Sequence, residues 1–122
     1  MTNAPNIVIV DDDPQVLKFL STTLEENGYA VTTTTAGKEA LAVTQQNPPD
    51  LLILDLNMPE PDGFDLLKMV HSQLPYLRIL VISGYLKGRV LESFRFIGAI
   101  ATLEKPITPD ALASKVREIL GR

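Results

Sequence analysis

Polar residues with ligand or nucleophile chemistry directly follow the apolar runs of this sequence. They are carboxylates, a hydroxyl and an ammonium, carried by Asp11, Asp12, Asp55, Ser83 and Lys105. If the runs are parallel strands, their carboxyl ends bring these groups to one edge of a sheet, where such folds bind ligands. Crowded carboxylates are costly unless a cation lies between them, and Mg²⁺ is usually held by hard oxygen ligands. The pattern therefore predicts a divalent cation at that edge.

With a cation in place, Asp55 could act as a nucleophile toward a phosphoryl group. The metal, the Lys105 ammonium and the Ser83 hydroxyl would then take the negative charge of the three equatorial oxygens. Three carboxylates against one ammonium leave a formal charge of −2 in the pocket, which one Mg²⁺ would neutralise. This arrangement predicts phosphoryl transfer to an aspartate.

Five predicted strands are needed to position these residues. Three unbroken apolar runs, 7–10, 51–54 and 79–82, are typical of strands buried on both faces in the centre of a parallel sheet. The segments 29–35 and 100–103 are less apolar, which favours edge positions.

Helices are predicted between the strands. Asp13-Pro14 and Thr108-Pro109 have the pattern of an N-cap followed by proline in the first turn. The helices are expected at 14–26, 37–46, 64–71, 87–97 and from 109 onward. Strand and helix alternate five times, so the predicted fold class is α/β, a doubly wound parallel sheet with helices on both faces.

Composition limits the alternatives. The 122 residues carry a net charge of −4 and no cysteine, which predicts one soluble domain without disulfides or thiolate metal sites. An acidic chain does not suit a phosphate-backbone surface, so no direct nucleic-acid partner is expected. No apolar run approaches the ~18 residues of a membrane span and no signal peptide is evident. A cytoplasmic location without membrane contact is expected.

Several motifs occur together and in order along nearly the whole chain. Together they resemble the receiver domain of bacterial two-component response regulators: the run Ile7 to Pro14, D-x-x-M-P-x-x-D-G from Asp55 to Gly63, Ser83-Gly84, Gly98-Ala99 and Lys105-Pro106. The resemblance implies a flavodoxin-like strand order, 2-1-3-4-5. It also implies a single receiver domain over residues 1–122, without an effector domain in this chain.

The resemblance further implies a signalling switch rather than an enzyme, apart from self-phosphorylation by phosphodonors and slow self-hydrolysis. Asp55 would accept a phosphoryl group from the phosphohistidine of a sensor kinase or phosphotransfer protein. Asp11, Asp12, Asp55 and the backbone carbonyl of Asn57 would hold Mg²⁺, with Mn²⁺ as the alternative ion. An effector domain or downstream protein would receive the signal.

The same resemblance assigns the remaining switch positions. Ser83, followed by Gly84, would report phosphorylation, and Lys105 would pair with the phosphoryl group, aimed inward by a cis bond to Pro106. The chain departs from the family at position 102, which carries Thr where Tyr or Phe is usual.

Two positions are expected to set the lifetime of the phosphoryl group. Asn57 and Tyr85 lie two residues after Asp55 and Ser83, and would flank the path of the attacking water.

The fourth helix, the fifth strand and the fifth helix would form the output face and a homodimer contact. In the fourth helix we expect Val90, Phe94 and Ile97 to be buried and Phe96 to face solvent, where it could anchor a partner.

Two other functions compete with the switch. A haloacid-dehalogenase-type phosphatase would use Asp11-x-Asp13, but Asp13 is better explained as an N-cap and Gln15 replaces the expected Thr or Val. A pseudo-receiver would bind a partner without phosphorylation; the complete acid set and Lys105 argue against it, and Thr102 keeps it open.

Overall fold

The computed structural model describes residues 4–59 and 62–121, so residues 1–3, 60, 61 and 122 of the predicted domain lie outside the described part. Strands and helices alternate in the order β1 Asn6–Val10, α1 Pro14–Glu26, β2 Ala30–Thr34, α2 Gly37–Gln46, β3 Leu51–Asp55, α3 Gly63–Gln73, β4 Ile79–Ser83, α4 Gly88–Glu92, a 3-10 helix Ser93–Ile97, β5 Ala101–Glu104 and α5 Pro109–Leu120. The strands form one parallel sheet in the order β2-β1-β3-β4-β5. The predicted fold class and strand order are confirmed.

The central strands are buried on both faces, as their unbroken apolar sequences predicted. Successive side chains of a strand point to opposite faces, so Val8 and Val10 pack with α2, α3 and α4, and Ile7 and Ile9 pack with α1 and α5. Complete burial of such a side chain stabilises the fold by about 1.5–3 kcal/mol. The two cores therefore fix the sheet edge that carries the polar residues. Within the described ranges, no helix is long and apolar enough to cross a membrane.

The predicted helix starts are confirmed by their capping hydrogen bonds. The Asp13 carboxylate accepts from the backbone N–H of Gln15 at 2.9 Å. The Thr108 hydroxyl accepts from the N–H of Ala111 at 3.1 Å. Each bond satisfies a backbone donor that the first helical turn leaves free.

The fourth helix differs from its prediction. A continuous helix was expected at 87–97, but α4 is one short α-helix that continues as the 3-10 helix. The expected burial of Val90 is wrong: it is 58% exposed, and Leu91 is buried in its place. In 3-10 geometry, residues three apart share a face, so Leu91, Phe94 and Ile97 contact the core together. Phe96 is 95% exposed, as predicted.

Smaller differences affect the ends of the elements. Strand β5 begins and ends one residue later than predicted, so that Glu104 lies within it beside Ser83 of β4. Helix α3 extends two residues beyond His71. These shifts leave the carboxyl ends of the strands where the polar residues require them.

Candidate functional site

Three carboxylates meet at the carboxyl end of the sheet because of the strand order. Asp11 directly follows β1, and Asp55 is the last residue of the adjacent strand β3. One carboxylate oxygen each from Asp11, Asp12 and Asp55 lies within 4.8 Å of the others. Asp11 and Asp55 are buried and Asp12 is exposed. The group could hold a metal ion, and its all-oxygen donor set fits Mg²⁺ or Mn²⁺.

The Lys105 ammonium approaches the acids from the end of β5. Its Nζ lies 3.0 Å from Asp11 Oδ2 and 3.3 Å from Asp55 Oδ2. Burial lowers the pKa of Lys105, but the hydrogen bond to Asp11 and the charge of Asp55 outweigh burial and raise this pKa above its ordinary value. Lys105 is therefore a fixed cation of the pocket. The following Lys105–Pro106 peptide is cis, as the resemblance implied.

The Asp55 carboxyl is easier to protonate than an ordinary aspartic acid. Burial is the main cause, and together with the negative charge of Asp11 it raises the pKa of Asp55 from 3.8 to about 6. The backbone N–H of Asn57 and the Lys105 ammonium oppose this shift. One lysine thus compensates the buried acids only in part, and further positive charge would favour the ionised, nucleophilic form of Asp55.

Ser83 ends β4 and is fully buried beside the acids. Its hydroxyl donates to Asn57 Oδ1 at 3.0 Å and accepts from the backbone N–H groups of Tyr85 and Leu86 at 3.1 and 3.0 Å. Asn57 in turn donates its backbone N–H to Asp55 Oδ1 at 3.1 Å. These bonds link the loop after β4 to the loop after Asp55.

The start of α3 is pressed against the end of β3. A Cβ atom at Gly63 would lie 2.2 Å from the carbonyl oxygen of Asp55 and 2.3 Å from Leu56 Cα. Only glycine permits this approach. Asp62 caps the helix by accepting from the N–H of Asp65 at 2.8 Å.

Two of the predicted switch residues are more exposed than Ser83. The Thr102 hydroxyl donates to Glu92 Oε2 of α4 at 2.9 Å, and Tyr85 is mostly exposed. Gly84, Lys105 and Pro106 line a largely apolar groove. Val16, Phe19 and Ile107 are among its other lining residues.

The residues at the strand ends meet as their sequence positions predict, but one side chain has a contact that these positions do not indicate. Asn57 was predicted to contribute its backbone carbonyl and to flank a water path, whereas its side chain is the acceptor for Ser83. Its position two residues after a strand-ending acid was the available signal. That signal does not specify where an amide side chain points.

Comparison with known proteins matches this chain to one family. A family model described as a response regulator receiver domain covers residues 7–117. The response regulator SaeR of Staphylococcus aureus is 32% identical over 117 residues, which are 96% of this chain and 51% of SaeR. This chain thus spans about half the length of that curated relative.

Solved structures give the same match. The chemotaxis protein CheY4 of Vibrio cholerae superposes with a TM-score of 0.88 at 32% identity, over 97% of this chain and 100% of that chain. The receiver domain of Francisella response regulator 1452 superposes with a TM-score of 0.89 at 30% identity, over 97% and 98%.

Proposed function

Because this chain belongs to the receiver domains of two-component response regulators, we propose that it is a switch controlled by phosphorylation of Asp55. The donor is the phosphohistidine of a sensor histidine kinase or of a phosphotransfer protein. The observation that supports this most is the geometry of the Asp55 carboxylate, which is buried at a strand end, 3.3 Å from the Lys105 ammonium. Receiver domains are signalling domains, and the chemistry proposed here is confined to gaining and losing one phosphoryl group.

The residues that would hold Mg²⁺, or Mn²⁺, are Asp11, Asp12 and Asp55 with the backbone carbonyl of Asn57. The fit rests on the three clustered carboxylates and on the incomplete compensation of their charge by Lys105. When bound, the ion would supply positive charge to the carboxylates and to the phosphoryl oxygens.

The side chains then have separate roles in the transfer. A carboxylate oxygen of Asp55 attacks the phosphorus, the bond between phosphorus and the donor histidine breaks, and its electron pair leaves with the imidazole. Lys105, held by Asp11, pairs with a phosphoryl oxygen. The Ser83 hydroxyl donates a hydrogen bond to another phosphoryl oxygen. Attack by water later restores the Asp55 carboxylate and releases inorganic phosphate.

The test uses the purified chain with Mg²⁺ and acetyl phosphate, with intact mass spectrometry as the readout. We expect one labile phosphoryl group on the native protein and none on Asp55→Asn. Asp110→Asn is a matched control, because Asp110 is an exposed acid in the first turn of α5, and it should be phosphorylated normally. Chelation of Mg²⁺ should prevent the adduct, and an adduct on Asp55→Asn would contradict the proposal.

The lifetime of the phosphoryl group should depend on the two residues next to the site. Asn57 is near Asp55 through its backbone hydrogen bond, and the exposed Tyr85 follows the Ser83 loop. Replacing either should change the rate of hydrolysis without preventing phosphorylation. Equal lifetimes in native protein and variants would contradict their role.

The output is proposed to pass through the face formed by α4, β5 and α5. Residues 1–122 would act as one cytoplasmic receiver unit that signals to an effector domain or a downstream protein, with homodimerisation through the same face. Phe96, exposed beside the Glu92–Arg95 ion pair, would anchor that contact. Light scattering before and after phosphorylation, with native protein and Phe96→Ser, tests it: unchanged self-association and partner binding in the variant would remove Phe96 from the interface.

A pseudo-receiver that binds its partner without phosphorylation is the second candidate. One observation favours it, because Thr102 hydrogen-bonds to Glu92 on the output face and lies where the family usually has an aromatic switch residue. Partner binding that is equal for native protein and Asp55→Asn, with and without phosphodonor, would select this function. The phosphatase alternative loses support because the Asp13 carboxylate caps α1.

A further inference from the structure

We infer that the Asn57 side chain restrains the resting switch by competing with the phosphoryl group for the hydroxyl proton of Ser83. In this role the Asn57 side chain is a positioning group, which acts through Ser83. The inference rests on the proposed function, because it assigns a regulatory role at the same site.

The hydrogen bonds of Ser83 leave its hydroxyl no free capacity. A serine hydroxyl has one proton to donate and two lone pairs that accept. The proton is directed at Asn57 Oδ1 at 3.0 Å, and the lone pairs accept from the N–H groups of Tyr85 and Leu86. Ser83 is fully buried, so bulk water does not substitute for these partners. Donation to a phosphoryl oxygen therefore requires the bond to Asn57 to break.

Asn57 is well placed to act as the competitor. Its backbone N–H donates to Asp55 Oδ1 at 3.1 Å. The phosphoryl group on Asp55 and the resting acceptor on Asn57 would therefore lie close to each other. A charged phosphoryl oxygen accepts a hydrogen bond more strongly than a neutral amide oxygen. In the phosphorylated protein, the Ser83 hydroxyl would therefore donate its hydrogen bond to the phosphoryl oxygen. The free energy gained would be reduced by the cost of breaking the resting bond to Asn57.

Movement of the Ser83 hydroxyl would change the hydrogen bonds of the loop that follows β4. The Ser83 hydroxyl accepts from the N–H groups of Tyr85 and Leu86, and the loop they belong to leads into α4 at Gly88. Rotation of the hydroxyl toward Asp55 would alter both bonds. The amide signals of Tyr85 and Leu86 are thus a spectroscopic record of the Ser83 state.

The experiment compares native protein, Asn57→Ala, Ser83→Ala and the double variant. The probe is beryllium fluoride, a phosphoryl analogue, titrated by calorimetry at constant Mg²⁺. Loss of one neutral competing hydrogen bond should strengthen binding to Asn57→Ala by about fivefold. In the Ser83→Ala background the same substitution should give no gain. Asn57→Leu, which keeps the approximate shape but has no acceptor, should repeat the gain if Asn57→Ala folds poorly.

The metal-free protein supplies an independent readout by NMR. In Asn57→Ala, the amide signals of Tyr85 and Leu86 should move toward their positions in the beryllium fluoride complex, and they should not do so in the double variant. A gain in affinity that persists without Ser83, or no gain at all, contradicts the inference and leaves the proposed function standing. Failure of all four proteins, native included, to bind the analogue contradicts both.

Discussion

Asp55 and Glu92 are both carboxylates with a cation beside them, but they lie in opposite surroundings. Asp55 is 2% exposed and lies 3.3 Å from Lys105, whereas the Glu92 side chain is 55% exposed and lies 3.0 Å from Arg95. Burial raises the pKa of Asp55 to about 6. The hydrogen bond from Thr102, and then that from Arg95, lower the pKa of Glu92. Each carboxyl has a cation beside it, so it is burial that makes the pKa of Asp55 rise while that of Glu92 falls.

The two regions are also held by different means. The acids are fixed by strand ends whose side chains form the core. Two surface carboxylates accept hydrogen bonds between α4 and β5. Glu92 of α4 accepts from the Thr102 hydroxyl of β5, and Glu104 of β5 accepts from the backbone N–H of Gly88 of α4 at 3.0 Å. Exposed bonds of this kind compete with water and contribute little. The polar bonds between α4 and β5 are therefore expected to contribute less to stability than the packing and the ion pairs that fix the acid pocket.

Two glycines, one in each region, should differ most in their response to replacement by alanine. In Gly63→Ala the new Cβ would collide with the backbone of Asp55 and Leu56, and we expect the free energy of unfolding to fall by about 3 kcal/mol. Gly88 has open space around its Cβ position but a φ of +56°, so Gly88→Ala should cost about 1 kcal/mol. Urea denaturation measures both. Equal losses would show that the acid pocket is not the more tightly packed region.

The second contrast removes the cation of each ion pair. Lys105→Met leaves the buried acids without their ammonium, and the free energy of unfolding at pH 7 without metal should fall by about 2 kcal/mol. It should also abolish stable phosphorylation. Arg95→Met breaks an exposed pair, and we expect no measurable shift of the denaturation midpoint. A shift as large as that of Lys105→Met would contradict the comparison.

A third test uses the pH dependence of stability. The pKa of Asp55 is raised from 3.8 to about 6 in the folded state. The folded chain therefore binds more protons than the unfolded chain between about pH 4 and pH 6, and the contribution of Asp55 to stability falls as pH rises through that window. Without metal, Asp55→Asn should raise the free energy of unfolding at pH 7 by about 2 kcal/mol, because one pKa unit corresponds to about 1.4 kcal/mol and Lys105 loses a partner. The gain should be much smaller at pH 4; an equal gain at both values would refute the assignment to burial.

The smallest expected effect is on the exposed face. Thr102→Val keeps the shape of the side chain but removes the hydroxyl that donates to Glu92. The pKa of Glu92 should rise toward its ordinary value, as followed by NMR of the carboxyl carbon, while the adduct formed with acetyl phosphate is unchanged. An unaltered Glu92 titration, or a loss of the adduct, would be contrary to this account.

The sheet and the gathering of the acids were predictable, because unbroken apolar runs identify central strands and parallel strands end at one edge. The α4 segment was not. Apolar residues at 90, 91, 94 and 97 fit both an α-helix and a 3-10 continuation, so the sequence did not decide between Val90 and Leu91. The Asn57–Ser83 bond was also beyond reach, because it depends on the conformation of two loops 26 residues apart in sequence.

Phosphorylation is proposed to occur on Asp55 and not on another acid of the cluster. The protein is phosphorylated with acetyl phosphate and Mg²⁺ and then treated with borohydride, which reduces an aspartyl phosphate to homoserine, and peptides are mapped by mass spectrometry. We expect homoserine at position 55 alone. Homoserine at position 11 or 12, with position 55 unmodified, would contradict it.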